Sequence, residues 1–504
     1  MHTAGKCASG ALLALVLAAC KVGPKFEPPH EPVPEQWPNA AAAPNSPRPS
    51  GGREPVSFWW REFHDPELDS LIERASAGNL DLKQAYLRIV EARIGVQAAR
   101  AEGLPSLNAS ASYTREQLGL AGILKSQGIG NSGPTASATA QQLIGSLEQP
   151  VNIYQLGFDA SWEIDLFGKV RREVEAAGAR SAGAVESRND ALLSLEAEVA
   201  QTYFQLRAAQ VSKQVMLDLI AAQRDAAALT QNRHEHGLAG EPDVDAARAE
   251  LASLQSQLPT YEQSISSSRH ALAVLAGQAP ESLDAELGAP GNLPALPADI
   301  PVGVPSTLAR RRPDVRNAET ALHAATAEVG VSVASMFPDV SLAGTLGLRN
   351  LGTRYVFDWQ SHFYSFGPSV SVPIFHGGAL VANVRLSRAE AAEAALAYRR
   401  TVLVALQEVE DGLVDLTQDA ARVASLEETV GADRRALEVQ WDAYRHGIIS
   451  YITVLTVEVQ SDQARQQLVQ AQATETTDLV RLYKALGGGW EHAAAASSPA
   501  DPAG

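Results

Sequence analysis

The chain has 504 residues and a formal net charge of −17. That charge argues against nucleic acid or an anionic lipid surface as the main partner, and the length allows two or three domains. No apolar run after the first 20 residues approaches the roughly 20 residues that a membrane-spanning helix needs, so any crossing has to be made by β-strands.

The N-terminus carries His2 and Lys6 and then an apolar run over residues 11–19. That is the form of a secretory signal peptide, residues 1–19. The run ends Leu17-Ala18-Ala19-Cys20, small residues before a cysteine as in a bacterial lipobox. Cys20 is therefore expected to be the lipidated first residue of the mature chain. Cys7 leaves with the signal, so the exported protein keeps no free thiol and no disulfide. Lys21 is compatible with passage to the outer membrane, where Asp would resemble an inner-membrane retention signal. Residues 20–57 are rich in Pro, Ala, Ser and Gly and read as an extended tether rather than a packed element. Residues 491–504 read as a disordered tail.

Between these ends lies an internal repeat. Tyr154-Gln-Leu-Gly-Phe-Asp-Ala-Ser-Trp-Glu-Ile164 aligns with Tyr364-Ser-Phe-Gly-Pro-Ser-Val-Ser-Val-Pro-Ile374. At the same offset Gly168 meets Gly378, and His236-Gly237-Leu238 meets His446-Gly447-Ile448. Upstream the offset is larger, which places an insertion in the first copy between Tyr113 and Pro150. The division follows: a first repeat at 58–280, a linker at 281–312 and a second repeat at 313–490.

Each copy reads as helix, strand, loop, strand, very long helix, turn, long helix. The first helices are expected at 80–102 and 313–336, the very long ones at 170–234 and 381–444, and the returning ones at 243–275 and 453–486. Proline is absent from 151 to 241 and from 374 to 498, which permits unbroken helices of about 90 Å. The strands alternate. Over 154–166 the apolar set is Tyr154, Leu156, Phe158, Ala160, Trp162, Ile164 and Leu166; in the second copy Phe366, Val370, Val372 and Ile374 alternate with Gly367, Ser369 and Ser371. Nine to eleven residues of that kind suit a transmembrane barrel strand, and also a soluble sandwich strand. Four strands cannot close a barrel, and open edges in lipid leave backbone groups unpaired. Sharing strands between two, three or four chains satisfies closure.

Five stretches resemble the outer-membrane factor family of the TolC and OprM type, in the NodT lipoprotein lineage. They are Cys20-Lys-Val-Gly-Pro24, Trp162-Glu-Ile-Asp-Leu-Phe-Gly-Lys-Val-Arg-Arg172, Arg311-Arg-Pro-Asp-Val-Arg316, Phe366-Gly-Pro-Ser-Val-Ser-Val-Pro-Ile-Phe375 and Tyr483-Lys-Ala-Leu-Gly-Gly-Gly-Trp490. The resemblance implies a mainly α fold with β: a homotrimeric 12-stranded outer-membrane β-barrel, four strands per chain, on a long periplasmic α-helical barrel. It implies a passive exit duct of a tripartite efflux pump, with a periplasmic adaptor and an inner-membrane transporter as partners. The covalent lipid on Cys20 would be its one non-protein group. The alternatives are a duct for protein secretion and a non-conducting envelope spacer.

Particular residues then acquire expected roles. Gly168 and Gly378 stand where a strand passes into a long helix and a side chain would obstruct the turn. By resemblance, His236, Gly237, Leu238, His446, Gly447 and Ile448 fall on the tips that meet the adaptor. Ile452 falls on an apolar constriction. Many relatives carry aspartates in the second tip; Thr453 and Thr456 stand there instead, while the first tip holds Glu241, Asp243 and Asp245. Acids of the first tip, or Glu458, are candidates to replace that ring. His234 and His236 are two apart and do not share a helix face, so no metal is expected. Leu166-Phe-Gly-Lys169 lacks the spacing of a P-loop, and no nucleophile motif appears.

Overall fold

A computed structural model describes residues 21–29, 31–40, 47–50, 57–117 and 150–491. Cys20, most of the insertion between Tyr113 and Pro150, and residues 492–504 lie outside the described residues. The elements run β1 (Arg48–Ser50), α1 (Pro66–Gly78), α2 (Leu80–Glu102), β2 (Ser106–Glu116), β3 (Val151–Glu163), α3 (Lys169–Glu235), α4 (Glu241–Leu275), β4 (Asp299–Pro301), α5 (Pro305–Arg311), α6 (Pro313–Ala334), β5 (Asp339–Asn350), β6 (His362–Ser371), α7 (Ala379–Arg445) and α8 (Tyr451–Ala485). The chain divides into two compact units. One takes residues to Phe26, Arg93–Ala179 and His323–Ala392; the other takes Glu27–Ala92, Arg180–Leu322 and the chain from Glu393.

The first unit is built on a four-stranded antiparallel sheet in the order β2-β3-β5-β6. The strand expected at 154–166 starts and stops three residues earlier. Gly168 with φ +84° turns the backbone out of extended geometry, so Ile164 and Leu166 lie beyond the strand. Val372 and Ile374 likewise fall past β6, on either side of Pro373, which has no N–H to give a ladder.

α3 and α7 begin in the first unit, run on into the second and have 67 residues each, while α4 and α8, within the second, have 35 each. Helices of 67 residues are about 100 Å long at 1.5 Å per residue. α4 starts at Glu241, two residues before the expected position, because Pro242 occupies the first turn, where a missing N–H costs nothing. Asp65 caps α1 by accepting from the backbone N–H groups of Glu67 and Leu68, and its other oxygen accepts from the Tyr203 hydroxyl at 2.7 Å. Trp59, Trp60, Phe63, Leu68 and Phe204 are buried beneath that cap.

The N-terminal segment is extended, as its prolines require, but it is packed, contrary to the expectation of a free tether. β1 pairs in parallel with β4. Trp37 is buried and donates its indole N–H to Val302 O at 3.3 Å. An isolated proline-rich stretch shows no such partner in sequence, because the partner lies some 250 residues on.

Two of the quoted motifs turn out to be structural. Arg312 donates to Asp314 (3.0 and 2.8 Å), to Ala485 O (3.1 Å) and to Glu408 (2.6 Å). Trp490 donates to Arg311 O at 2.9 Å, and the Arg316 guanidinium lies 5.0 Å from the Trp490 ring centre. The Arg-Arg-Pro-Asp-Val-Arg turn and the Gly-Gly-Gly-Trp segment thus lock the end of α8 to the start of α6.

Candidate functional site

The sheet of the first unit has two chemically distinct faces, and its register defines them. Tyr113 opposes Tyr154, Leu156 lies between Ala111 and Leu348, Phe158 lies between Ala109 and Leu346, and Leu346 also opposes Tyr364. Leu107, Trp162, Leu342, Phe366 and Val370 complete this apolar face, and most of its large side chains are exposed. The opposite face carries Asn108, Ser110, Ser112, Gln155, Asp159, Ser161, Glu163, Ser341, Thr345, Arg349, Ser365 and Ser369. Above the Tyr113–Tyr154 pair the pattern inverts, with Arg115 opposite Asn152 on the side of the apolar face. From Tyr154 to Trp162 the apolar band runs about 27 Å along the strand, comparable to the band of a transmembrane barrel. A soluble sandwich sheet would bury this face; here it lies open.

The sheet ends in tight corners. Gly168 (φ +84°) and Gly378 (φ +85°) both adopt a conformation that penalises any side chain, as their places in the repeat suggest. A Cβ on Gly168 would stand 3.1 Å from Lys21 Cα, whereas one on Gly378 would meet open space. Beside Gly168 the start of the described chain is held tightly. The N–H of Val22 donates to Phe167 O at 3.2 Å, and Arg172 donates to Val22 O (3.1 Å) and Gly23 O (3.2 Å). Gly23 lies against Gly330 so closely that a Cβ would come within 2.5 Å of its Cα. Glu175 accepts hydrogen bonds from Lys21, from Arg172 (2.9 Å) and from His323 (3.1 Å). Burial pushes this carboxyl up, but those three donors outweigh it and hold it at about 2. The Glu175 carboxylate therefore stays ionised around neutral pH. Sequence reasoning missed it; its members are scattered over three segments.

In the second unit the two tips come together. Both long helices end in the same motif. Gly237 (φ +72°) and Gly447 (φ +73°) are left-handed, Leu238 N bonds Arg233 O and Ile448 N bonds Ala443 O. This is the six-to-one closure that satisfies orphan carbonyls. Leu238 and Ile448 are left 67% and 75% exposed, apolar side chains held out at a helix end with no cover from this chain. His236 and His446 fold back onto Asn232 O and Asp442 O, each at 2.8 Å.

A clasp of polar and aromatic groups joins the hairpins. Arg233 donates to Tyr444 O (2.9 Å) and lies 4.6 Å over the Tyr444 ring. The Thr230 and Tyr444 hydroxyls are 3.3 Å apart. The Gln223 amide reaches Ala247 O (3.1 Å) and the Tyr451 hydroxyl (2.9 Å). Tyr444, Tyr451 and Val454 are buried with Ala226 and Ala247. Only the tyrosines at either end of the second tip hinted at this cluster in the sequence.

Of the expected aperture residues, Ile452, Thr453 and Thr456 are exposed, with Thr456 donating to Ile452 O at 2.8 Å. Glu241 and Asp245 are exposed and Asp243 is half-buried, all on the first turns of α4. Glu241 is taken up by His234 at 3.0 Å. One turn deeper, Glu458 and Asp462 are 6% and 7% exposed. Burial, then Asp462 and Glu250, push Glu458 up to about 7. Burial and Glu250 outweigh Arg465 and push Asp462 up to about 6. Among the described residues no His, Cys, Asp and Glu group is arranged to hold a metal ion.

The chain matches the outer membrane efflux protein family over residues 71–278 and 304–488. It is 30% identical over 482 residues, 95% of each chain, to the probable efflux pump outer membrane protein TtgC of Pseudomonas putida. Over 486 residues, 96% of this chain and 93% of the relative, it is 30% identical to Nodulation protein T of Rhizobium leguminosarum bv. viciae. The solved outer-membrane channel OprN superposes with a TM-score of 0.82 at 32% identity, covering 94% of this chain and 100% of that one. With an open apolar sheet face, paired long hairpins and matches over both repeats, the chain belongs to the outer membrane efflux protein family.

Proposed function

We propose that three copies of this outer-membrane channel close their sheets into one twelve-stranded barrel, anchored through lipid on Cys20, and that the helical hairpins form a periplasmic conduit below it. The carrying observation is the two-faced sheet, whose outer edges on β2 and β6 have no partner strand among the described residues. An apolar face with open edges is untenable in lipid unless other copies supply the missing ladders. A closed ring then puts the apolar face toward lipid and the polar face around water. Three copies is the number that the family resemblance implies. The exposed Leu238 and Ile448 suit a contact with a periplasmic adaptor, which would link the duct to an inner-membrane transporter. The efflux names of the relatives favour small toxic molecules or drugs as cargo. The duct is passive: selectivity for cargo belongs to the pump that feeds it.

The aperture is placed at the second tip, around Ile452. Single-channel recording of the purified protein in a planar bilayer is expected to give small or flickering currents that grow in Ile452→Gly. Intact oligomers with no current from either form would sink the gate and shift weight to a non-conducting spacer.

A further inference from the structure

The polar face of the sheet is acidic or neutral with one exception. Asp159, Glu163, Asp339 and Glu116 are its acids, and among the described residues Arg349 is its one basic side chain. Arg349 is positioned, not loose. Its Nε and Nη2 donate to Gln155 Oε1 at 2.9 and 2.7 Å, across the β3–β5 ladder. Its guanidinium lies 4.6 Å over the ring of Phe363, the one aromatic side chain on this face. Gly347 makes room for that ring: a Cβ there would stand 2.9 Å from Phe363 Cε1. Of the five N–H donors of a guanidinium, two are used by Gln155 and three remain. No described carboxylate forms an ion pair with it: Asp159 is four residues from Gln155 along β3, about 13 Å, and is engaged by Ser110 at 3.0 Å.

We propose that Arg349, seated on Phe363 and braced by Gln155, is a recognition site for planar aromatic anions in the outer half of the barrel lumen. The free donors match a sulfonate or carboxylate. The flat guanidinium, stacked on one side, offers its other side to a ring. The site rests on the trimeric-duct reading, which places this face around water and repeats the group once per copy. Four residues farther out on β2 stands Glu116, the nearest acid on that side. A neighbouring copy could bring it closer, so it belongs in the test.

The experiment uses full-length protein in planar bilayers under a potassium chloride gradient, with 1,3,6-naphthalenetrisulfonate added on the barrel side. Binding of the same compound to the detergent-solubilised oligomer is measured in parallel. Arg349→Gln is expected to shift the reversal potential toward cations and to weaken block and binding at least tenfold. Arg349→Lys should keep the reversal potential and still lose most of the block, since it retains charge without the planar fork. Glu116→Gln should leave block intact or strengthen it. Arg349→Gln oligomers that conduct with unchanged reversal potential and unchanged block overturn the proposal. Block lost in Glu116→Gln but kept in Arg349→Gln would place the site elsewhere. A parent oligomer that never conducts, and binds no trisulfonate, overturns this site together with the duct reading.

Discussion

At Gly168 two independent penalties fall on a side chain: the left-handed backbone, and the contact with Lys21. At Gly378 only the first applies. Left-handed geometry costs a non-glycine residue roughly 1–2 kcal/mol. Gly378→Ala is therefore expected to lower stability by about that much, and Gly168→Ala by more. Thermal dissociation of the two variant oligomers, followed by gel mobility, checks the order; equal midpoints would show that the N-terminal segment yields freely. The repeat makes both glycines legible in the sequence. What distinguishes them is invisible there, because Lys21 reaches Gly168 only once the Glu175 clamp has drawn the N-terminal segment onto α3. Arg349 was passed over for a similar reason: in a list of alternating residues it is one polar position among many, and only strand register sets it against Gln155 and Phe363.

The helices show where pattern reading succeeds. The sequence places α2 at residues 80–102, as found, and the ends of α3 and α7 within two residues, because proline-free length and terminal glycines are local signals. Strand ends are poorer, since an alternating pattern runs on through Ile164 and Leu166 after the ladder has stopped. The burial of acids on α8 is not local at all. Glu458 and Asp462 share a helix face, but only packing against α4 makes their ionisation costly. The sign follows from the raised pKa: the protonated form stabilises the native packing below about pH 4.5, and this contribution is lost as pH rises through about 7. Amide exchange in the first turns of α8 should thus quicken between pH 5 and pH 8, after correction for intrinsic rates. Glu458→Gln should flatten that dependence. A variant that exchanges with the same pH profile as the parent would show that Glu458 is already solvated in the native oligomer.

Over the whole molecule, the fold class and family were legible because the chain states its plan twice. The β1–β4 pairing and the hairpin clasp were not, since each joins segments far apart in sequence. The doubled plan carries a further constraint. α3 and α7 have the same length, as do α4 and α8. The four helices act as a matched set of spacers, so their lengths are one inherited quantity and not four. Removing seven residues, two turns, from α3 alone would shift the tip glycine Gly237 by about 10 Å against Gly447 and break the clasp between Arg233 and Tyr444. Oligomer yield should collapse. Removing two turns from all four helices at matched heights should restore it, giving a shorter duct that still assembles; failure of the matched deletion to do better than the single one would refute the constraint. If an adaptor meets the tips, as proposed, such a duct would stop short of it. On that proposed reading the common length of these helices is a gauge of the distance to the adaptor, and a lineage whose envelope widens can follow only by lengthening both repeats together.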